Sequence, residues 1–451
     1  MLAVLAPVTG LASVSTLSNP WRWEGSLGFE TNSFVRASVD RGVQSTTWRI
    51  AGSAEREFNP WLETRISLNV VGFDVDASSI TPDLPEVYLS TREGRLGNQG
   101  ISVGRRIFSW SKLDDRWRLG LWSPRMTWDP LSPTDVGNVG AFYRFKTGRW
   151  SLLAYGTPVS VPERSYPIRA EGGRLVSSSP YWQAPFEQVS VLGQPVAMNY
   201  TIAMPELSTL LLAPQAALSV TYRSEGGSWY RVNYGAGATH QASLAIDAAL
   251  DLGSRRIEAN LHPRRQLRQL ATFEAGQVGD GWELWGSVSG EAVTAEALPK
   301  GWLGDAGGTS LFSAVGGALE LGRGFRSELQ YLSIDRVREN GAATSGDATT
   351  ELAASSLPGR FQYNRAFETR LSWNGNSLIH YGASWLIDLA DRGQRVSLDL
   401  SYVPGRNLAG PRAPRWSLKL GADLFFSETG RGIIGQQEGN DRLRGGLSYA
   451  F

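Results

Sequence analysis

Catalysis or metal binding needs groups that exchange a proton, attack an electrophile or hold a cation, and this sequence arranges few of them together. It has three histidines, His240, His262 and His380, and no cysteine. Lack of Cys excludes disulfides, thiolate metal sites and cysteine nucleophiles at once. A histidine base also needs a positioned nucleophile beside it. His240 and His262 fall on neighbouring hairpins within reach of Ser243 or Asp247, and His380 lies close to a short turn, but no GxSxG, HExxH or nucleotide loop accompanies them. Exposed rim histidines are the plainer reading, with a rim hydrolase as the minor one. Oxygen ligands on loops suit calcium, and "SKLDDRW" with "MTWDPLSPTD" puts Asp114, Asp115, Asp129 and Asp135 in one predicted extracellular loop. Their spacing follows no regular ligand motif, so no cofactor is expected, loop calcium being the one candidate.

The remaining charges recur at alternate positions of extended segments. Early segments contribute Arg49, Arg65, Arg92, Arg106, Arg144, Lys146, Arg223 and Arg231, with Glu24, Glu55, Glu63 and Glu86 as exceptions. Later ones contribute Asp247, Asp251, Glu258, Glu274, Glu283, Glu291, Glu320 and Glu328, with Arg256 and Arg268 as exceptions. The last segments mix signs. If these rows face one interior, a basic wall looks at an acidic wall. In a wet pore that arrangement sets a transverse field favouring polar, dipolar solutes. In a closed interior the same residues would be salt bridges. The sequence leaves both open.

The elements that must carry these rows are strands. In "RWSLKLGADLFF", Trp416, Leu418, Leu420, Ala422, Leu424 and Phe426 share one face opposite Ser417, Lys419, Gly421 and Asp423. "RVSLDLSY", "SLAIDAAL", "RRIEANL", "WYRVNY", "TRISLNV" and "WRWEGSLGF" repeat the two-residue period, which is the primary strand signal. The chain is 451 residues long, 41% hydrophobic and 19% charged, with net charge +1 and 51 Gly. That near-neutral balance gives no sign of a nucleic-acid partner. No apolar run reaches the roughly 18 residues of a membrane-spanning helix. Counted from Trp21, the links after even-numbered strands are tight ("EFNP", "GRLGN", "KTGR", "SEGGS", "LGSRR", "VGDG", "GRGF", "NGNS"). Those after odd-numbered strands vary, the longest spanning 158–214. Such segregation of loop length predicts an all-β chain closed into an antiparallel transmembrane barrel of roughly 18–20 strands, 16 being the lower bound, with short periplasmic turns and long extracellular loops. Residues 1–18 read as a signal-peptide remnant or N-terminal extension, and 19–451 as the barrel.

The end of the chain, "DRLRGGLSYAF", sharpens this. Leu447, Tyr449 and Phe451 alternate into a terminal aromatic, and this resembles the C-terminal signal of Gram-negative outer-membrane barrels. The resemblance implies recognition by the barrel-assembly machinery and residence among outer-membrane lipids. Trp21, Trp61, Trp150, Tyr222, Trp229, Trp373 and Trp416 near strand ends would then form interfacial girdles. The stretch "LPEVYLSTREGRLGNQGISVGRRIFSWSKLDD" followed by "WDPLSP" also resembles a hairpin of porin-like and polysaccharide-export barrels. The expected function is a porin-like or export channel for polar solutes or a polysaccharide. The alternative is a non-conducting barrel that anchors an envelope machine through a protein partner or as a homo-oligomer. Loop 158–214 is too apolar to be freely solvated; it is expected either to fold inward as a constriction or to pack outside against a partner or another copy.

Overall fold

The computed structural model describes residues 21–450 apart from 35–43, 74–79, 92, 93, 95, 178, 180, 183, 184, 186, 295–298, 301, 305–307, 340–360, 362, 375–377, 405–414, 431 and 438–440. The segment 1–18, Arg92 and Phe451 therefore lie outside the described residues. Eighteen strands form one sheet. They are β1 (Arg22–Phe34), β2 (Gln44–Glu57), β3 (Leu62–Phe73), β4 (Thr81–Thr91), β5 (Gln99–Arg106), β6 (Asn138–Thr147), β7 (Trp150–Thr157), β8 (Gln215–Arg223) and β9 (Ser228–Ala238). The second half comprises β10 (Leu267–Gly279), β11 (Trp282–Val293), β12 (Gly308–Gly322), β13 (Phe325–Glu339), β14 (Arg365–Trp373), β15 (Ile379–Asp388), β16 (Gly393–Tyr402), β17 (Arg415–Ser427) and β18 (Arg442–Ala450). Each pairs antiparallel with its sequence neighbours, and β1 closes on β18 from Ser26↔Ala450 to Phe34↔Arg442. Closure removes the sheet edges, so every strand's backbone groups can be satisfied within the wall.

The pleat sorts the side chains. Phe29, Ile50, Leu68, Val232, Phe273, Leu284, Val288, Leu398, Leu420 and Leu447 are exposed on the outer surface. Glu274, Glu291, Glu368, Asp423 and Arg442 are buried on the inner one. Such an inversion would be ruinous in water and is what a bilayer demands. At the short-turn end, aromatic rings meet across neighbouring strands: Trp150 with Tyr222 at 4.9 Å, Trp373 with Phe325 at 5.5 Å and with Tyr381 at 5.2 Å, and Trp416 with Tyr449 at 4.6 Å. Trp21 lies 5.8 Å from Trp23, and Trp61 is exposed in the β2–β3 turn. Trp229 departs from the expected girdle. It shares the inward face of β9 with Arg231, and its ring lies over Gly276 of β10, where an added Cβ would come within 2.6 Å of it. Parity alone separates it from its outward neighbour Tyr230.

Two segments counted as barrel strands are not in the wall. Ser243–Asp251 and Arg256–Arg264 form a hairpin of a separate five-stranded sheet with Gln188–Val191, Gln194–Ile202 and Trp302–Gly304. Their alternation is genuine, but it serves a sheet built from loops, which is why the barrel has eighteen strands, at the lower end of the expected 18–20. Its apolar centre holds Leu175, Met198, Tyr200, Ala259 and Leu261. The link "LGSRR" is thus a turn of this loop sheet.

Candidate functional site

The β5–β6 connection, 107–137, carries Trp110, Trp117, Trp122 and Trp128, too much aromatic surface to leave in water. It folds into the barrel. Trp110, Leu113, Trp117, Leu121, Trp122 and Leu131 are buried and cluster with the inward-facing Phe142, Tyr155, Leu270, Trp285 and Phe312. Among the described residues the largest apolar cluster therefore lies inside the barrel, between a loop and the wall.

Polar contacts fix this loop at both sides. A short helix, α1 (Lys112–Trp117), starts at Ser111, whose hydroxyl caps Asp114 N. The fully buried Glu274 carboxylate of β10 accepts from Ser111 Oγ at 2.8 Å, Lys112 N at 2.7 Å and Leu113 N at 3.2 Å, satisfying donors that a helix start leaves open. Lys112 pairs with Glu283, and Arg116 with Glu328 at 2.8 Å. The Trp110 carbonyl accepts from Arg231 at 3.0 Å and Asn233 at 2.8 Å. Arg268, paired with Glu291 at 2.8 Å, donates to Leu121 O at 2.5 Å. Across the lumen, Arg442 of β18 binds Asp129 at 3.0 Å and Asp423 at 2.5 Å and reaches the Tyr181 hydroxyl of the long loop. Arg395 of β16 donates to Leu131 O at 3.2 Å. The loop thus runs from the β9–β13 wall to the β16–β18 wall.

This geometry rewrites the two-wall picture. Glu274, Glu283, Glu291 and Glu328 do line β10–β13, but the loop and its neighbours take their charge. Asp247, Asp251 and Glu258 are not wall residues, because they belong to the hairpin of the loop sheet. Glu320 lies at the short-turn end, 3.7 Å from Arg326. On the basic side, Arg49 donates to Asn69 at 2.7 Å, and Arg65 bridges Glu55 at 2.6 Å and Glu86 at 3.3 Å. Arg106 lies over the Tyr88 ring at 4.2 Å, and Arg144 faces inward from β6 beside Gly100. Lys146 and Arg223 sit near the short-turn ends of β6 and β8.

Two cavities remain inside the barrel. A cavity of about 1150 Å³ lies against β1–β4 towards the short-turn end, lined by Arg22, Glu24, Arg49, Ser53, Glu55 and Arg65 among others. A second, of about 530 Å³, lies under α1 between Lys112, Asp115, Arg116, Arg223, Trp229 and Arg231. Asp115 accepts from the Ser109 hydroxyl. Enclosure within the barrel pushes its carboxyl up to about 7, and its neighbours Asp114 and Asp135 push the same way, although the side chain itself opens onto the cavity.

The four loop aspartates considered for calcium are spread among these contacts: Asp114 accepts from Leu121 N and Trp122 N, and Asp129 binds Arg442. Among the described residues no group of three His, Cys, Asp or Glu could hold a metal ion. His262 stacks on Trp302 at 4.1 Å in the loop sheet, His240 is buried at the rim, and His380 meets Asn374 at 2.6 Å at the short-turn end.

Sequence reasoning missed the inward course of 107–137. The available signal was its four tryptophans, the same apolar excess that singled out loop 158–214. That longer loop contributes Tyr181 to the interior, pairs Arg164–Ser165 with Arg125–Thr127, and supplies two strands of the loop sheet. The constriction itself is made mainly by the shorter loop.

A closed antiparallel barrel with an apolar exterior and a polar interior is, by fold, a β-barrel of the bacterial outer-membrane class. No family model matches the sequence, and no curated protein matches it. Among solved structures, Pseudomonas aeruginosa OccK2 (OpdF) is similar over 95% of this chain and 97% of that one, at 12% identity and a TM-score of 0.50. OccK3 (OpdO) of the same organism covers 95% of each chain at 11% identity and 0.49, and Acinetobacter baumannii OccAB1 covers 96% of each at 10% and 0.49. At such identity the likeness to OccK2 shows a shared fold.

Proposed function

We propose that the protein is a porin-like channel of the bacterial outer membrane for small polar solutes, constricted by 107–137. The observation that carries this is the polar cavity of about 1150 Å³ inside the barrel against β1–β4. A barrel that served only as an anchor would have no need of open polar space in its lumen. The charges lining this cavity balance, but the smaller cavity under α1 is lined by Lys112, Arg116, Arg223 and Arg231 against only Asp115 and Glu283, so the pathway past it favours anions over cations. A polysaccharide is disfavoured as cargo, because the loop spans the lumen. Among the described residues no side-chain constellation supports the rim hydrolase.

Single-channel recording of the purified protein in a planar bilayer tests the proposal. Steady open steps with an anion-selective reversal potential under a salt gradient are expected. A correctly assembled, heat-modifiable barrel that stays electrically silent would refute it in favour of the non-conducting anchor.

A further inference from the structure

One stretch of the long loop carries apolar side chains that nothing in the described chain covers. After the strand Gln194–Ile202, the backbone passes through a short helix over Leu207–Leu211 and returns to Gln215, the first residue of β8. Met204 and Leu207 are each 69% exposed and Leu212 is 66% exposed. The one charged side chain here, Glu206, accepts from Ser208 Oγ at 3.3 Å. Leu192 and Leu252 are exposed too, but singly at hairpin turns, whereas here three apolar residues lie exposed within nine positions. A concentrated exposed patch of this kind marks contact with a membrane or a partner.

Its place in the fold identifies the contact. Ser160 N donates to Leu211 O at 2.9 Å and Arg265 to Leu210 O at 2.7 Å, which holds the stretch at the loop ends of β7, β8 and β10. From Leu212 to Gln215 is at most about 11 Å of chain. There the outward rows take over with Leu218 on β8 and Leu267 on β10, both exposed towards lipid. The patch is thus continuous with the bilayer-facing wall. Beside it, the loop sheet presents Asn199 bonded to Glu258 and Thr201 bonded to Asn260, polar pairs that a protein partner covering the area would have to bury.

We propose that Met204–Leu212 inserts into the acyl layer of the outer leaflet. It extends the apolar belt beyond the ends of β7–β10 and tethers the base of the long loop to the bilayer. The inference rests on the lipid-facing wall and not on transport, so it stands whether or not the barrel conducts.

The absence of native cysteine makes the test clean. Leu207→Cys and Leu212→Cys, each labelled with an environment-sensitive fluorophore, are reconstituted in phosphatidylcholine vesicles. A share of the lipid carries a nitroxide near the glycerol, and iodide is the aqueous quencher. Leu420→Cys on the outer wall is the lipid control, and Leu192→Cys, at a fully exposed hairpin tip, the water control. The nitroxide lipid is expected to quench both loop probes about as strongly as the Leu420 probe, with iodide several-fold less effective than at Leu192. Iodide access equal to that at Leu192 would overturn the proposal. So would shielding from both quenchers, which would assign the patch to a second copy of the chain. Heat-modifiability on gels confirms assembly of each variant, and Met204→Cys replaces any that fails.

Discussion

Replacing Glu274 by alanine should release the constriction while leaving the barrel closed. The carboxylate is fully buried and accepts from Ser111 Oγ, Lys112 N and Leu113 N, with Arg231 also 3.4 Å away. Its loss strands three donors, and at ~1–3 kcal/mol each the sum is roughly 3–9 kcal/mol. Water reaching them from the lumen brings the net effect to the lower end of that range. The loop's docking onto the β9–β11 wall is weakened by that amount, whereas the eighteen-strand ladder loses no hydrogen bond. Single-channel recording should therefore show larger or noisier conductance, and limited proteolysis should cut within 107–137, with heat-modifiability unchanged. Glu274→Gln keeps an acceptor and loses the charge, so its effect should be smaller, about 1–2 kcal/mol. Unchanged conductance and protease resistance in Glu274→Ala would refute the view that this carboxylate holds the constriction.

Three further perturbations test other parts of the structure. Leu420→Arg on the lipid face should destabilise the barrel by roughly 2–4 kcal/mol, whereas Ser53→Arg on the cavity wall should cost much less; urea unfolding from detergent micelles distinguishes them. Arg265 donates to Ser160 O, Ser160 Oγ, Leu210 O and Thr239 O. Arg265→Ala should loosen loops 158–214 and 239–266 by about 2–4 kcal/mol and expose them to protease, with Lys a partial substitute because it lacks the planar fork. Asp115 is pushed up to about 7 from 3.8, so the folded protein holds an extra proton between those values. Loop packing should therefore gain stability as pH falls through about 7, and anion selectivity should rise from about pH 8 to about pH 5 as the charge among Arg116, Arg223 and Arg231 is removed. A pH-independent reversal potential, or one unaffected by Asp115→Asn, would refute that assignment.

By itself the sequence determined the wall. A strand's two-residue period is local, so "RWSLKLGADLFF" and "DRLRGGLSYAF" declare which residues share a face, and connection lengths declare which end of each strand is tight. The tertiary structure decided which alternating segments close into the barrel. "SLAIDAAL" and "RRIEANL" alternate as cleanly as any wall strand, yet they pair with Gln194–Ile202 and Trp302–Gly304, because periodicity carries no information about partners. It also decided what the interior charges do. Glu274 and Glu328 were visible as inward acids, but that one meets the start of a helix and the other Arg116 depends on where a loop distant in sequence comes to rest. Trp229 shows the same division on one residue. Its type announced an aromatic collar, its parity with Arg231 put it inside, and only the neighbouring strand, with Gly276 opposite, gave the ring a surface to lie on. Faces follow from the geometry of a single strand, whereas lumen, constriction and loop anchors arise from contacts between segments distant in sequence.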